Sequence, residues 1–433
     1  MSGIASQVMA DIQHYQRQAA SLLLYQSVLE NPIGRAWMKL LDALVEGEER
    51  TGLRAYGNWF YTQTIGNQTW RRYLISQILQ ADNAFTRQAQ QVPVSDLPPS
   101  LAAAARHDLR LLQSLYNCQS EQLSRWMQTV YQTPNTPVVW SLPEPSGSLP
   151  LIDYADWSEG LEDLATYYRQ NGIGLFAQYQ ALRWQAGELV GIPHPDPIKL
   201  SQLAAYDAPK STLIKNTEFL LAGYQALHVL LYGSRGSGKS SLVKALLNQY
   251  GDRGLRLIEV AKSDLPALPI IVERLRYVPQ KFIIFVDDLS FEDDDETFKA
   301  LKVVLEGSVT AQPQNVVVYA TSNRRHLVRE FFAERPRPKD SDEIQAWDTM
   351  QEKLSFSDRF GLTLTFEPAD QPTYLSIVNH LATQAGILLP SEDLESRALQ
   401  WATRHNGRSG RTARQFVDFL QAELAMAESP PIL

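Results

Sequence analysis

Apolar positions change their spacing along the chain, and the change divides it. Up to about residue 130 they recur at intervals of three and four, as in Trp70 to Gln91 and Leu101 to Tyr131, which predicts amphipathic helices. Residues 1–132, rich in Gln, Leu, Ala and Trp, therefore read as a mostly α-helical region. Prolines and small polar residues crowd Thr133 to Pro150, so 133–152 reads as a Pro-rich linker. Helical spacing resumes from Trp157 to Leu189, giving a helical connector over 153–194. Beyond it the pattern is different. Short, solid apolar runs (His228 to Tyr232, Phe282 to Val286, Asn315 to Thr321, Leu362 to Phe366) read as strands of a parallel sheet buried on both faces, within an α/β core over 195–368. Residues 369–433 read as a helical C-terminal piece, and no repeat of solenoid period is present.

With 433 residues, two or three domains are expected, and 44% hydrophobic residues suffice for real cores. The net charge of −8 argues against non-specific nucleic-acid binding, although a local basic patch keeps a nucleic-acid partner possible. The single cysteine, Cys118, excludes an internal disulfide and a multi-cysteine zinc site, fits a reducing compartment, and reads as a buried structural thiol. No charged segment followed by an apolar core opens the chain, and no apolar run approaches the ~18 residues of a spanning helix. The expectation is a cytoplasmic protein without a membrane partner. His228, His326, His380 and His405 lack metal-ligand spacing. Trp59, Phe60, Tyr61, Trp70 and Tyr73 read as core rather than as a ligand surface.

Gly233 to Ser240 reads G-S-R-G-S-G-K-S, a match to G-x-x-x-x-G-K-[ST]. A strand-like run precedes it and a helix-like run, Ser241 to Leu247, follows, which is the context a phosphate loop needs. Little side chain at Gly233, Gly236 and Gly238 lets successive backbone N–H groups converge on a phosphate at a helix N-terminus, where the dipole also favours anions. Lys239 can reach the β- and γ-phosphates, and the Ser240 hydroxyl can ligate Mg²⁺. Ser234, Arg235, Ser237 and Ser241 complete the nucleotide-contacting stretch, Ser241 reading as helix rather than ligand. The cofactors expected are ATP (or GTP, by the octet alone) and Mg²⁺.

Phe282 to Val286 closes on Asp287 and Asp288, acids at the carboxyl end of a buried strand, where α/β sheets bind ligands. Asp287 is the candidate for Mg²⁺, and Asp288 for the carboxylate beside an attacking water, with Glu292 as competitor. The run Glu292 to Glu296 reads as a solvated loop or helix start. A polar strand tip, Ser322-Asn323, offers Asn323 to a γ-phosphate or water, and Arg359 stands at a turn in S-D-R-F-G. Arg408-Ser409-Gly410-Arg411 opens a last helix with a cation.

In this order, L-L-Y-G-S-R-G-S-G-K-S-S-L-V-K-A-L-L, D-D-L-S-F-E, Y-A-T-S-N-R-R-H-L, S-D-R-F-G and R-S-G-R-T-A-R-Q-F resemble the AAA+ superfamily of P-loop ATPases over about 195–425, and within it a bacterial family of AAA+ ATPases of unknown function. The resemblance implies an α/β P-loop NTPase fold of AAA+ type, a parallel sheet flanked by helices, with a C-terminal helical lid over 369–433 beside a separate, mostly α-helical N-terminal region. It implies Lys239 and Ser240 in Walker A, Asp287 and Asp288 in Walker B, Asn323 as sensor 1, Arg359 as arginine finger and Arg411, or else Arg408 or Arg414, as sensor 2. Asp288 departs from the usual Glu. The stretch Leu203-Ala204-Ala205-Tyr206-Asp207 falls where the superfamily holds the adenine base, and Tyr206 either stacks on or flanks the base or packs against the lid. Two functions follow as expectations. One is an ATPase that remodels a macromolecule as a homo-oligomer, with an unknown protein partner on the N-terminal helices. The other is a nucleotide-gated scaffold with slow or no hydrolysis. A small-molecule kinase would leave Arg359 and the lid without a role.

Overall fold

The computed structural model describes residues 2–143, 150–290, 297–306, 311–323, 359–405 and 407–428. They form two compact units, Met1–Gln178 and Tyr179–Leu433.

The described residues of the first unit form helices without a strand, among them Ser2–Ala20, Pro32–Glu46, Glu49–Gly66, Pro99–Asn117 and Ser120–Tyr131. Their apolar stripes meet in one core where Trp37 stacks on Trp70, ring centroids 4.6 Å apart. Trp59, Trp70 and Tyr73 are buried there, whereas Tyr61 is exposed, so the core reading of the aromatic cluster does not extend to it. The buried Asp108 carboxylate accepts the N–H groups of Leu23, Leu24 and Tyr25 at 2.7 to 3.1 Å, which offsets the cost of burying its charge. Cys118 is buried, and desolvation pushes its thiol well up, as an inert thiol requires. Trp70 to Gln91 is not one helix. Trp70–Leu79 ends, and Asn83 starts Ala84–Ala89 by accepting the N–H groups of Phe85 and Thr86. Leu101 to Tyr131 likewise breaks at Cys118 and Gln119.

The second unit is built on seven strands: β1 Ala181–Gln185, β2 Glu188–Gly191, β3 Val229–Gly233, β4 Leu255–Glu259, β5 Lys281–Val286, β6 Val316–Ser322 and β7 Leu362–Phe366. Their order is β2-β1-β4-β5-β6-β3-β7, and every neighbouring pair is parallel except β1 with β2. The expectation of helix from Trp157 to Leu189 is corrected here. Helix Leu161–Asn171 and the short Gly174–Gln178 are followed by the β1–β2 hairpin. Ala186 and Gly187 both have positive φ, +52° and +85°, the geometry of a two-residue hairpin turn whose twist matches the strands. Four or five residues of strand carry too little periodicity to oppose a helical reading.

The strands β3, β5 and β6 are largely apolar runs because the sheet is covered, and on one face Leu213, Leu220, Val243 and Leu246 of helices Asp207–Leu221 and Lys239–Tyr250 share a core with Val229, Ile283 and Val317. Three further helices, Gln371–Gln384, Ser391–Arg404 and Gly410–Glu428, bury a core of their own around Tyr374, Val378, Phe416 and Val417. This is an α/β fold, a mostly parallel sheet flanked by helices with the P-loop motif after β3, and a C-terminal helical piece beside it. The order puts β3 beside β6 and β6 beside β5, so the carboxyl ends of the three meet. Among the described residues no helix is long and apolar enough to cross a membrane.

Candidate functional site

The phosphate loop leaves β3 at Gly233, whose φ of +144° and lack of a side chain are both needed: a Cβ there would lie 1.9 Å from the Phe366 carbonyl oxygen on β7. Lys239 opens the following helix and is itself buried. Its Nζ donates to the carbonyls of Gly233 (2.9 Å) and Ser234 (2.8 Å) and to Asn323 Oδ1 (3.3 Å). Desolvation lowers the lysine's pKa, opposed by the charges of Asp287 and Asp288. Ser237 Oγ donates to the Ser234 carbonyl at 2.9 Å and holds the loop's curve.

At the end of β5 the two acids point to different partners. Ser240 Oγ donates to Asp287 Oδ1 at 2.6 Å, and the Thr321 hydroxyl donates to the same oxygen. Asn323 Nδ2 donates to Asp288 Oδ1 at 2.7 Å. Asp288 lies at φ +51°, in the left-handed region. Asp enters that region more readily than Glu, a backbone reason for the shorter acid here. The Asp288 N–H points at Thr321 Oγ1 (3.0 Å) and Asp287 Oδ1 (3.2 Å). Thr321 was not anticipated as a site residue; its position one residue inside a strand tip looks like any β-branched strand residue.

The lid closes one side of the cleft. Arg411 N–H donates to the Gly236 carbonyl at 3.1 Å, and Ser409 Oγ accepts the Thr412 N–H at the start of the last helix. Arg411, Arg414 and Gln415 line a cleft of about 670 Å³ together with Arg235 to Ser241, Asp287, Asp288, Thr321 and Asn323. Arg408 is turned away to Gln371 Oε1, 3.0 Å. Leu203 and Ala204, from the stretch expected at the base, line the cleft together with Ile198, Ile377 and Leu381, three apolar residues that the sequence did not point to because they come from a loop and a helix far apart in the chain.

Not every anticipated residue reaches the cleft. Tyr206 is not part of its lining: the ring packs 5.2 Å from Phe366, and the hydroxyl donates to the Glu367 carbonyl at 2.7 Å. Of the stretch expected at the base, Leu203 and Ala204 line the cleft and Tyr206 does not, which corrects the expectation for Tyr206 alone. Arg359 pairs with Glu306 and is absent from the lining, as are Gly233 and Ser234, whose carbonyls serve Lys239. Glu292 with the acidic run, His326, and Phe356 to Asp358 lie outside the described residues. Among the described residues no cluster of three His, Cys, Asp or Glu could hold a metal, so a divalent ion here would rest on Ser240, Asp287, water and a ligand's own oxygens.

None of the curated proteins matches the chain. Among solved structures it is similar to the Thermotoga maritima RuvB Holliday junction branch migration motor, at 15% identity over 55% of this chain and 68% of that one, with a TM-score of 0.37. Two variants of that protein give the same picture, one threonine-to-valine (16% identity, 55% and 68% covered, TM-score 0.37) and one arginine-to-alanine (15%, 54% and 67%, 0.37). Residues 177–424, more than half of the chain, match the family described as protein of unknown function (DUF815), and the chain belongs to that family.

Proposed function

We propose that the chain binds ATP with Mg²⁺ in this cleft, hydrolyses it to ADP and phosphate, and uses the cycle to remodel a macromolecular partner. The observation that carries the reading is one cleft holding three adjoining polar arrangements: the buried Lys239 ammonium behind the glycine loop, the Ser240–Asp287 pair and the Asp288–Asn323 pair. The first fits a triphosphate, the second a hydrated divalent ion, and the third an attacking water. The volume of about 670 Å³ lies within the range of nucleotide-sized sites, and the apolar end suits a base.

In this reading Lys239 exchanges its loop carbonyls for β- and γ-phosphate oxygens, and N–H groups of Arg235 to Ser241 surround the β-phosphate. Mg²⁺ bound through Ser240 and Asp287 would neutralise phosphoryl charge. Asp288 takes the proton of the attacking water, and Asn323, fixed between Lys239 and Asp288, orients that water and the γ-phosphate. Arg411, with Arg414 beside it, approaches the phosphates from the lid. Arg359 lies outside its own cleft and serves a neighbouring copy, which makes the working form a homo-oligomer. The helical N-terminal unit, with Leu53, Tyr61 and Ile65 exposed along helix Glu49–Gly66, is the arm for a protein partner. Calorimetric ATP·Mg²⁺ binding and steady-state hydrolysis by wild type, Lys239→Ala and Asp288→Asn test the proposal. Binding without turnover in the wild type would favour a nucleotide-gated scaffold.

A further inference from the structure

Thr321 is almost fully buried at the carboxyl end of β6. It reaches sideways to the turn that ends β5. There Oγ1 donates to Asp287 Oδ1 and accepts the N–H of Asp288 at 3.0 Å, and the Thr321 carbonyl accepts the N–H of Leu289 at 2.7 Å. One residue thus engages three consecutive residues, two of them the acids of the cleft.

Each of these bonds fixes a degree of freedom that the proposed chemistry uses. A carboxylate at a strand end rotates freely about its side-chain bonds unless something takes up a lone pair. Asp287 Oδ1 is taken by Ser240 and Thr321 from two sides, which sets the direction of the remaining oxygen. Asp288 sits at φ +51°, a conformation a non-glycine residue keeps only when its surroundings over-determine it. The Asp288 N–H to Thr321 Oγ1 bond and the Leu289 N–H to Thr321 carbonyl bond, one on each side of that residue, are such a constraint. In this conformation the Asp288 carboxylate meets Asn323, two residues beyond Thr321 on the same chain segment.

We infer that Thr321 is a positioning residue that holds the metal-side acid Asp287 and the water-side acid Asp288 in their two separate directions, through one hydroxyl that donates to the first and accepts from the backbone of the second. The inference rests on the reading of the cleft as an ATP·Mg²⁺ site. Thr321→Val keeps the shape and β-branching and removes only the hydroxyl, and Thr321→Ser restores the hydroxyl without the methyl group.

The experiment compares wild type, Thr321→Val and Thr321→Ser in the full chain. It measures affinity for a non-hydrolysable ATP analogue in Mg²⁺ and in EDTA, and kcat and KM for ATP across Mg²⁺ concentrations. Loss of a hydrogen bond to a charged group predicts that Thr321→Val reduces the Mg²⁺-dependent gain in affinity about tenfold or more, while affinity in EDTA stays within about threefold. The same variant is expected to lower kcat with little change in KM at saturating Mg²⁺, and Thr321→Ser to recover most of both. If Thr321→Val keeps the full Mg²⁺ gain, or if Thr321→Ser is as impaired as Thr321→Val, the positioning role is wrong while the ATP site stands. If affinity falls equally with and without Mg²⁺, the residue is merely structural, and the inference is again overturned. A wild-type chain that binds the analogue in neither condition overturns the site reading itself.

Discussion

His228, one residue before β3, makes the fold's stability depend on pH in a direction the geometry fixes. Its Nδ1 accepts the N–H of Val318 at 2.9 Å, so the ring must be neutral with its proton on Nε2. The imidazole lines a groove of about 660 Å³ with Ile270, Val303 and Val304, and with Glu273, Arg274 and Arg276 among the other lining residues. Burial lowers its pKa from 6.5 to about 4. The unfolded chain therefore takes up the proton first as pH falls. The contribution is complete above about pH 6.5 and is lost between there and pH 4. The full shift corresponds to about 3 kcal/mol. Because the groove is open to solvent on one side, about 2 kcal/mol is the expected size. Protonating the folded ring would also take the acceptor from the Val318 N–H, so the fold does not recover the loss by binding the proton itself in that window. Urea unfolding of wild type and His228→Gln at pH 7.5 and 4.5 isolates the effect, since the other titrating groups cancel in the difference. The wild type's advantage over the variant should shrink by about 2 kcal/mol at the lower pH. A difference constant to within ~0.5 kcal/mol, or an NMR titration placing this ring near pH 6.5, would refute the reasoning.

Arg359→Ala should leave ATP affinity unchanged and lower turnover, by up to the ~10³-fold or more of an arginine finger, and mixing it with Lys239→Ala should restore hydrolysis because each chain offers what the other lacks. A chain that stays monomeric with ATP, or a mixture that stays inactive while subunits exchange, removes the trans arginine. Gly233→Ala should destabilise the α/β unit by about 2 to 4 kcal/mol, because its Cβ would meet the Phe366 carbonyl oxygen at 1.9 Å and the β3–β7 pairing must give. Unfolding within ~0.5 kcal/mol of wild type would show that the two strands part easily.

What the sequence displays of this fold is what lies contiguous in it. The phosphate loop between a solid apolar strand and a helix, and the two acids closing Phe282 to Val286, are legible because β3 and β5 are buried on both faces and each motif is one unbroken segment. The β1–β2 hairpin is not, since Ala181 to Gly191 offers only short strands and a turn with Ala where Asn is commoner. Part of the apolar lining of the cleft is hidden for a different reason. Ile377 and Leu381 look like core residues until their helix is brought to the same cavity as Leu203. Thr321 is hidden by its type, because Thr is at home in any strand and only the partners of its hydroxyl set it apart. Tyr206 shows the converse error: an aromatic near the expected base position packs on Phe366 instead.

The most direct test of the ATPase reading is the pair of acids measured side by side with the lysine. Asp288→Asn keeps the shape, tolerates the left-handed backbone and can still accept from Asn323, so it should bind ATP·Mg²⁺ as wild type does and lose about 10²- to 10⁴-fold in kcat. Asp287→Asn should lose Mg²⁺-dependent affinity, and Lys239→Ala should not bind ATP tightly at all. Undiminished ATP affinity in Lys239→Ala, or undiminished turnover in Asp288→Asn while Glu292→Gln is dead, would contradict the account, the first by removing the phosphate site and the second by giving the base to another residue.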